Sequence, residues 1–449
     1  MNIKGKNIAI LGAVRSGVSA AKLARNKGAI PFVSDISTTG LVKQNCEELK
    51  KLNIACEIGK HSEKIFESDF IITSPGVPTN ATVLSEAKKR GINVHSEIEF
   101  ASWFCEGNII AITGTNGKTT ATSLCSHILN QSGIKCFTAG NIGLPFSEIV
   151  EDVNISDYVA LEVSSFQLDF ISNFKPDFSI ILNITPDHLD RYENRFDLYI
   201  KSKIRIAENQ DKGDTFIYNG DDENIPMGYI SERVQFLPFS LKQSLSNGCF
   251  LDDNWIVYTQ NNYVQDICKV SELFLKGEHN LQNTMAVICV AKTIGLKNEN
   301  IKKALGTFKG VEHRLEFIRE VNGIKFINDS KATNVDSVWY ALRSFEEPIY
   351  LILGGVDKGN DYLKIKDEVK NRVKKIYAIG ESAETVHKFF NSIVDVEIVS
   401  DFNFIINKVL IETQPGSVLL LSPACASFDM FRNYEDRGSQ FKEIVGNII

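Results

Sequence analysis

Residues 113–120 carry glycine, lysine and threonine at a spacing that suits the binding of a phosphate chain. They are Thr-Gly-Thr-Asn-Gly-Lys-Thr-Thr. Glycines let the backbone approach a phosphate closely, and the first N–H groups of a helix attract an anion. Lys118 adds a positive charge for the β- and γ-phosphates, and Thr119 offers a hydroxyl group to Mg²⁺. The segment therefore predicts a nucleotide site that works with magnesium.

The flanking sequence places this segment between a strand and a helix. Apolar residues fill 109–112, and Leu124, Ile128 and Leu129 recur at helix spacing after it. The usual P-loop has a glycine where this chain has Ile112, and the first glycine here is two residues later. We predict that the nucleotide is bound by Gly114, Thr115, Asn116, Gly117, Lys118, Thr119 and Thr120.

Glu162 is a single acidic residue at the end of the apolar run 158–163. A carboxylate in a buried run is unfavourable unless it is paired or bound to a metal. Magnesium takes oxygen ligands and often shares them with nucleotide phosphates. We therefore predict that Glu162 is a Mg²⁺ ligand beside Thr119. The alternative is an acidic residue at an exposed strand end.

His188 follows the next apolar run, 178–183, in a polar turn. Loops at strand ends often carry functional groups, so His188 is a candidate metal ligand. Lys201, Lys203 and Arg205 come next, on a predicted helix. From the pattern alone, these three cations indicate a basic face in contact with solvent.

The last third of the chain has three polar loops after predicted strands. Asp329 and Lys331 are two residues apart, so in extended backbone they point to the same face. Residues 354–359 include Lys358, and residues 422–429 include Ser427. Together these loops suggest a small pocket for an anionic substrate that also touches the nucleotide. Each loop taken alone is also compatible with an ordinary turn.

The first segment has an α/β pattern. A strand at 8–11 leads into the turn 12–17 and a helix around 20–26, and a second strand ends at Asp35. An acidic residue about 20 positions after a glycine turn could hold a ribose hydroxyl. The GxGxxG spacing of NAD-binding proteins is absent, however. An ordinary turn with a helix cap, and a site for another nucleotide, both remain open.

Strands alternate with helices along most of the chain, which predicts mainly parallel sheets with ligands at the carboxyl ends of their strands. A hairpin is expected at 248–258 and a helix at 280–294. Later strands are expected at 325–328, 349–353, 376–379 and 418–421. The predicted fold is α/β with three domains: a Rossmann-like N-terminal domain at 1–96, a central P-loop-type ATPase domain at 97–310, and a C-terminal Rossmann-like α/β domain at 311–449.

Composition excludes some classes of protein. The chain of 449 residues has 49 basic and 56 acidic residues, a net charge of −7, which argues against a general nucleic-acid binder. No apolar run approaches the roughly 20 residues of a membrane-spanning helix. Residues 1–6 lead into a strand without the pattern of a secretory signal. We expect a cytoplasmic monomer whose nine cysteines are reduced thiols.

Several segments together resemble the Mur ligases of peptidoglycan synthesis. The resemblance rests on motifs in all three predicted domains, in family order: 113–120, 140–145, 161–167, 187–191, 278–280, 312–314, 328–334, 422–428 and 433–438. The Asp-Asn-Pro-Arg motif of the members that add diaminopimelate or lysine is absent. The resemblance implies an ATP-dependent acid–D-amino-acid ligase that adds D-glutamate to UDP-N-acetylmuramoyl-L-alanine through an acyl phosphate, in cell-wall biogenesis.

The resemblance also implies roles for individual residues. In the family, a lysine 15 residues after the motif histidine carries a CO₂-derived carbamate; here it is Lys203, which with His188 would hold the second of two Mg²⁺ ions. Catalytic roles are implied for Lys118, His188, Lys203, Asp329 and Lys331. ATP would be bound by the phosphate loop together with Asn283, Arg314 and Asp329. The substrates would be bound by Asp35, Ser74, Gly76, Asn141, Thr333, Lys358, Ser427 and Tyr434.

Three other functions remain open. Folylpolyglutamate synthase shares the altered phosphate loop, but it does not need about 100 residues of uridine-binding domain ahead of that loop. Another Mur ligase would add L-alanine or a dipeptide. A P-loop switch or motor would use ATP only to change shape, and would leave Lys331 and residues 422–428 unexplained.

Overall fold

The structure is a computed structural model that describes residues 2–261, 263–275, 277–357 and 359–448. Within these ranges the strands form three separate sheets. Each sheet is mostly parallel and is flanked by helices, so the fold class predicted from the alternation of strands and helices is confirmed.

The first sheet has five parallel strands in the order β3-β2-β1-β4-β5. Its strands are β1 Asn7–Leu11, β2 Ile30–Asp35, β3 Ala55–Ile58, β4 Phe70–Thr73 and β5 Asn93–Ser96. The helices of this part are α1 Arg15–Asn26, α2 Gly40–Lys51, α3 Thr82–Lys89 and α4 Glu97–Ser102. The chain order changes direction between β1 and β4, so the loops after these two strands meet at one edge, where ligands of parallel sheets bind.

The second sheet has nine strands in the order β14-β13-β12-β11-β10-β9-β6-β8-β7. Its strands are β6 Asn108–Thr113, β7 Cys136–Gly140, β8 Tyr158–Glu162, β9 Phe178–Ile181, β10 Thr215–Asn219, β11 Gln235–Ser240, β12 Gly248–Asp252, β13 Trp255–Gln260 and β14 Tyr263–Lys269. The helices are α5 Lys118–Gln131, α6 Phe146–Ile149, α7 Ser165–Leu168, α8 Phe196–Ile204, α9 Glu278–Thr293 and α10 Asn298–Thr307. Strand β6, which precedes the phosphate loop, lies between β8 and β9, so residues from three adjacent strand ends converge there.

The third sheet has six strands in the order β15-β16-β20-β17-β18-β19, with only β15 antiparallel to its neighbour. Its strands are β15 Glu316–Val321, β16 Ile324–Asn328, β17 Ile349–Leu353, β18 Val373–Ile379, β19 Asp395–Val399 and β20 Ser417–Leu421. The helices are α11 Val335–Arg343, α12 Lys366–Arg372, α13 Ala383–Phe390, α14 Phe402–Glu412 and α15 Tyr434–Gly446. The adjacent strands β16, β20 and β17 lead into the three polar loops noted in the sequence.

The chain divides into two compact units. The first contains residues 1–273 and 282–308, and the second contains residues 274–281 and 309–449. One apolar core runs through the first unit from Ile8 in β1 to Phe216 in β10, which joins the first two sheets. Helix α9 begins in the second unit and continues in the first. The domain boundaries at 96/97 and 310/311 remain predictions.

Most of the named elements are found where the sequence places them. The hairpin expected at 248–258 is β12 and β13, and β14 extends it as a third strand. The helix expected at 280–294 is α9. Edge strands such as β3, β15 and β19 were not predicted. Polar, solvent-exposed residues interrupt their sequences, so no apolar run marks them.

The cysteines differ from the prediction at one place. Cys46 in α2 and Cys56 in β3 form a disulfide, with Cα atoms 5.8 Å apart. The expectation of nine reduced thiols is therefore wrong for this pair. The reason is topological: α2 packs on β3 and brings together two residues that are ten apart in sequence. In the described part of the chain the other seven cysteines are free.

Within the described ranges, no helix combines the length and the apolar character needed to span a bilayer.

Candidate active site

The phosphate loop is a tight turn between β6 and α5. Gly117 caps the helix with a φ of +87°, and a Cβ added at Gly117 would lie 2.3 Å from Oδ1 of Asn283. Both facts require glycine at this position. They also show that Asn283, a predicted nucleotide contact on α9, lies directly against the loop. Helix α5 begins directly after this glycine, and the N-terminus of a helix attracts an anion.

A second loop holds the phosphate loop in shape. Thr115 exchanges two hydrogen bonds with Thr185, since its Oγ1 donates to the carbonyl O of Thr185 and accepts from that residue's N–H, each at 2.9 Å. Asn183 bonds both the N–H and the carbonyl O of Asn116, at 2.9 and 3.1 Å. Tyr199 contacts Thr115 Oγ1 at 3.2 Å. This arrangement fixes the loop through protein contacts alone. Sequence reasoning assigned no role to Asn183, Thr185 and Tyr199, because only their partners Thr115 and Asn116 lie in the phosphate-loop motif.

Two lysines share one acceptor at the start of the loop. The Nζ atoms of Lys118 and Lys203 donate to the carbonyl O of Gly114 at 2.8 and 2.9 Å. Lys203 is only 1% exposed and its amine lies over the Tyr199 ring. Burial, with the charge of Lys118 as a second cause, holds the pKa of the Lys203 amine well below its usual value. The expectation of a solvated basic face is therefore wrong for Lys203, which points inward, whereas Lys201 is exposed.

Glu162 ends β8 and is 1% exposed, so the alternative of an acidic residue at an exposed strand end is wrong. Its Oε1 accepts a hydrogen bond from Nδ2 of Asn141 at 2.9 Å, and the N–H of Asn141 donates to its carbonyl O. The other carboxylate oxygen, Oε2, is buried and has no hydrogen-bond partner among the described residues. A buried carboxylate oxygen of this kind matches the preference of Mg²⁺ for oxygen ligands.

His188 lies in the loop after β9 with a φ of +52°. Its ring packs edge-on against Phe166, with centroids 5.3 Å apart, and its Nε2 is 3.8 Å from Oδ2 of Asp187. The carboxylates of Asp187, Asp169 and Glu162 are all close enough to Lys203 to favour its charged form. The loop that carries His188 therefore lies in one cluster with Lys203 and Glu162, in the first unit.

The donors of this cluster fit divalent metal ions. Glu162 offers an unpartnered buried oxygen, and Thr119, at the start of α5, offers a hydroxyl group. His188 offers a half-exposed imidazole. Lys203 in its protonated form cannot serve, because a metal ligand needs a free electron pair and an ammonium group has none.

A cavity of about 760 Å³ opens at the carboxyl ends of β1, β2 and β4 in the first unit. Its wall includes four of the predicted substrate residues, Asp35, Ser74, Gly76 and Asn141. Asp35 uses both carboxylate oxygens to hold the turns around it, accepting from the N–H groups of Ala13 and Ser37 at 2.7 Å each. The cavity reaches from the first sheet to Asn141, and therefore to the residue that contacts Glu162.

The turn at 12–17 needs its two glycines for packing. A Cβ at Gly17 would lie 1.8 Å from the carbonyl O of Gly12, and one at Gly12 would lie 2.7 Å from Oγ of Ser74. In the same turn, the guanidinium group of Arg15 donates to the carbonyl O of Gly143. The turn therefore has a defined shape, although it lacks the GxGxxG spacing.

In the second unit Asp329 is buried at the end of β16. Its Oδ2 accepts from Oγ of Ser422 at 2.8 Å, and its Oδ1 accepts from the N–H of Leu315 at 3.2 Å. Burial raises the pKa of the Asp329 carboxyl group to about 6, although Arg314 nearby acts in the opposite direction. The predicted common face of Asp329 and Lys331 is wrong, because the N–H of Ala332 bonds the carbonyl O of Asp329 and closes a turn there instead of extended backbone.

Lys331 and Tyr434 form a second contact pair in this unit, with the amine 5.3 Å from the centre of the ring. The ring of His313 meets Tyr434 edge-on, and the carbonyl O of His313 accepts from the N–H of Lys331. Thr333 is partly buried after the same turn, and Ser427 is buried after β20. Lys358 lies outside the described residues.

Arg314 and His279 are neighbours in the second unit. Arg314 has a buried Nε without a hydrogen-bond partner. Burial, together with the charge of Arg314, lowers the pKa of His279 to about 3, so this histidine is neutral at physiological pH. A guanidinium group with an N–H available is suited to bind an anionic or carbonyl group; the contact of Arg314 to the nucleotide stays a prediction.

Family models match the chain in three consecutive parts. Residues 6–96 match the "Mur ligase MurD-like, N-terminal domain", residues 112–291 the "Mur ligase middle domain", and residues 313–425 the "Mur ligase, glutamate ligase domain".

Individual proteins are similar over nearly the full length. A UDP-N-acetylmuramoylalanine--D-glutamate ligase of Christiangramia forsetii is 45% identical, with 99% of this chain and 100% of the relative covered. The solved structure of UDP-N-acetylmuramate-alanine ligase MurC from Thermotoga maritima has a TM-score of 0.62 at 20% identity, covering 98% of this chain and 99% of that one. MurF ligase from the same organism, in complex with ADP, has a TM-score of 0.60 at 15% identity, covering 93% and 95%. At these low identities the solved structures show the fold alone.

Proposed function

Because this chain belongs to the Mur ligase family, we propose that it is an ATP-dependent ligase that joins D-glutamate to UDP-N-acetylmuramoyl-L-alanine in peptidoglycan precursor synthesis. The observation that carries the proposal is the 45% identity, across 99% of this chain, to a relative named for this reaction. Its substrates are phosphorylated precursors and ATP, so we place the reaction in the cytoplasm. Domains at 1–96, 97–310 and 311–449 and a monomeric state complete the proposal.

ATP would bind at residues 114–120, with its phosphates at the start of α5. The turn at Gly117 and the hydrogen bonds from Asn183 and Thr185 support this assignment, because they hold the loop in one shape. Lys118 lies beside this turn and would neutralise charge on the transferred phosphoryl group. Asn283, which packs against Gly117, would contact the nucleotide from α9. Contacts of Asp329 and Arg314 to the nucleotide are carried over from the family resemblance alone.

Two Mg²⁺ ions would be held by the cluster around Lys203. One would use Thr119 and the orphaned oxygen of Glu162. The other would use His188 and a carbamate on Lys203. When bound, magnesium neutralises charge on the phosphates and on the oxygens that react. The protein contributes the orientation of Glu162, because the hydrogen bond from Asn141 fixes one oxygen and leaves the other available as a ligand.

Lys203 is proposed to carry a CO₂-derived carbamate, as the family resemblance implies. Its amine is buried and shares the Gly114 carbonyl with Lys118, so a second full positive charge at this position is unfavourable. Addition of CO₂ to the neutral amine forms an N–C bond, releases a proton and gives an anionic group with two oxygen ligands. This group would pair with magnesium and with the cation of Lys118.

The reaction proposed for these residues has two steps. A carboxylate oxygen of the lactoyl-alanine group attacks the γ-phosphorus of ATP, ADP leaves, and an acyl phosphate forms. The uncharged amine of D-glutamate then attacks the acyl carbon, and inorganic phosphate leaves as the amide forms. Catalysis by the protein is positioning and charge stabilisation. The cavity at Asp35, Ser74 and Gly76 would hold the uridine end, and Asn141 would lie near the reacting carboxylate.

D-Glutamate would bind in the second unit, at the loops after β16, β17 and β20. Lys358, Ser427 and Tyr434 are the proposed contacts, with Thr333 nearby. The approach of Lys331 to the Tyr434 ring and the burial of Ser427 support a shared pocket on this face of the sheet. Its chemistry, with cations and hydroxyl groups, suits an amino acid that carries two carboxylates.

The decisive experiment measures phosphate release from ATP with Mg²⁺ and UDP-N-acetylmuramoyl-L-alanine. D-Glutamate, L-glutamate, L-lysine and L-alanine are added in separate reactions, and the product mass is determined. We expect release only with D-glutamate, together with a product heavier by one glutamyl residue. Release that does not depend on the amino acid contradicts the proposal and favours a nucleotide switch. Release with another amino acid favours another member of the family.

A further inference from the structure

Arg437 is a buried cation whose contacts join the substrate loops of the second unit. It lies in the first turns of α15, and only 2% of the residue is exposed. Its Nε donates to Oγ of Ser330 at 2.9 Å, and the two terminal nitrogens donate to the carbonyl O of Ser330 at 2.7 Å and that of Cys425 at 3.1 Å. One planar group therefore binds two loops that follow different strands.

These two loops carry the proposed D-glutamate contacts. Ser330 lies between Asp329 and Lys331 after β16, and Cys425 lies two residues before Ser427 after β20. The hydroxyl group of Ser330 also donates to the carbonyl O of Tyr434 at 2.8 Å. Arg437 thus sets the position of the Lys331 turn relative to both Ser427 and Tyr434.

Arg437 makes its three hydrogen bonds to uncharged groups. Among the residues that the structure describes, no carboxylate lies within 4.0 Å of its guanidinium group. Burial lowers its pKa to about 10, with Cys425, Asp429 and Asp329 acting in the opposite direction, so the group is still charged at neutral pH. A buried cation without a paired anion is unfavourable for folding, which points to a role in binding an anionic ligand.

We propose that Arg437 is a positioning residue for the amino-acid substrate: it holds the loops of Lys331 and Ser427 in the arrangement that binds D-glutamate, and its buried charge favours a dianionic ligand there. This inference rests on the proposed function. Position 437 requires arginine in particular, because the three bonds go to a hydroxyl group and two carbonyl groups, which a fork of several N–H donors can reach together.

The test compares steady-state kinetics of R437Q and R437K with those of the wild type and R432Q. Arg432 is the matched control, because it lies five residues earlier, its side chain is 90% exposed, and it pairs only with Asp436 at 3.5 Å. We expect R437Q to raise the KM for D-glutamate by about 10- to 100-fold, the effect of losing buried hydrogen bonds to a charged group. R437K, which keeps the charge but not the fork, should lie between R437Q and wild type. The KM for ATP and the affinity for UDP-N-acetylmuramoyl-L-alanine should stay within about 2-fold.

Two results overturn the inference. One is a KM for D-glutamate within about 3-fold of the wild type in R437Q. The other is an equal weakening of the binding of all three substrates, which would indicate a general structural role. If R437Q does not fold, S330A removes the hydroxyl partner of Nε, together with its bond to the carbonyl O of Tyr434, and should raise the KM for D-glutamate by about 3-fold. An unchanged KM in S330A then counts against the inference. If wild type and R432Q do not use D-glutamate at all, the proposed function fails, and that outcome is distinct from any change confined to R437Q.

Discussion

Nδ2 of Asn141 donates to Oε1 of Glu162 at 2.9 Å, so the wall of the large cavity in the first unit is bonded to the carboxylate beside the phosphate loop. One hydrogen bond therefore connects the proposed site of the nucleotide sugar with the proposed metal site. In physical terms, the substrate carboxylate and the transferred phosphoryl group would be held on a common rigid support, which favours reaction through orientation.

Glu162→Gln tests the metal site. The amide keeps the size of the side chain and can still accept from Asn141, but it replaces the orphaned carboxylate oxygen by an NH₂ group that cannot bind Mg²⁺. We expect the Mg²⁺ concentration for half-maximal activity to rise by about 10-fold or more, the typical effect of disturbing a metal ligand. Thermal stability should not fall. Glu151→Gln, at an exposed ion pair with Lys27, is the control. An unchanged magnesium dependence in E162Q would contradict the assignment.

Lys203→Gln tests carbamylation. Protein equilibrated with ¹³C-labelled bicarbonate should show a carbamate signal by NMR that is absent in K203Q. The signal should be present in K201Q, because Lys201 is exposed on the same helix. It should disappear reversibly when the sample is acidified, since carbamates lose CO₂ on protonation. A signal that persists in K203Q would assign the modification to another amine.

Asp35→Asn tests the cavity of the first unit. The two oxygens of Asp35 accept from two N–H groups, and asparagine has only one acceptor oxygen, so one turn must lose its bond. We expect the dissociation constant for UDP-N-acetylmuramoyl-L-alanine to rise by about 10-fold in calorimetric titrations. Asp69→Asn is the control, because Asp69 accepts from the N–H of Asn7 through a single oxygen that asparagine can replace. An equal rise of this dissociation constant in both variants would count against a role for Asp35.

Asp329→Asn tests the pH dependence of stability. The folded-state pKa of about 6 lies above the ordinary 3.8, so the folded protein binds more protons between these values than the unfolded chain does. The free energy of unfolding therefore falls as pH rises from about 4 to about 6, by about 3 kcal/mol in total. The amide of asparagine does not titrate, so the stability of D329N lacks this contribution from residue 329. In calorimetry, the Tm of D329N minus that of the wild type should increase through this range and level off near pH 7. Asp395→Asn, at an exposed position, should show no such increase.

The sequence was sufficient for features that depend on local pattern. Apolar residues before a glycine-containing loop and an amphipathic helix after it predicted β6, the turn and α5. A single acidic residue in the apolar run 158–163 predicted that Glu162 is buried, and this is correct. These predictions needed no knowledge of distant contacts.

Features set by tertiary contacts could not be predicted in this way. Lys203 belongs to a run of alternating cations and still points inward, because the Gly114 carbonyl lies 89 positions earlier in the chain. The turn at Asp329 depends on a hydrogen bond that an extended-strand rule ignores. The pairing of Cys46 with Cys56 depends on α2 packing against β3.

The second compact unit is discontinuous in sequence, since it includes residues 274–281 as well as 309–449. In that short segment His279 packs against Tyr340, with ring centroids 5.1 Å apart, and Glu278 lies 3.9 Å from Arg343. A fragment that begins at 311 would lack these partners and leave Tyr340 uncovered. For the same reason, a single crossover at 308/309 between the genes of two relatives would exchange only part of the unit. Chimaeras that exchange the whole unit and keep residues 282–308 in place need three junctions, one before 274, one inside the long helix near 281 and one near 309.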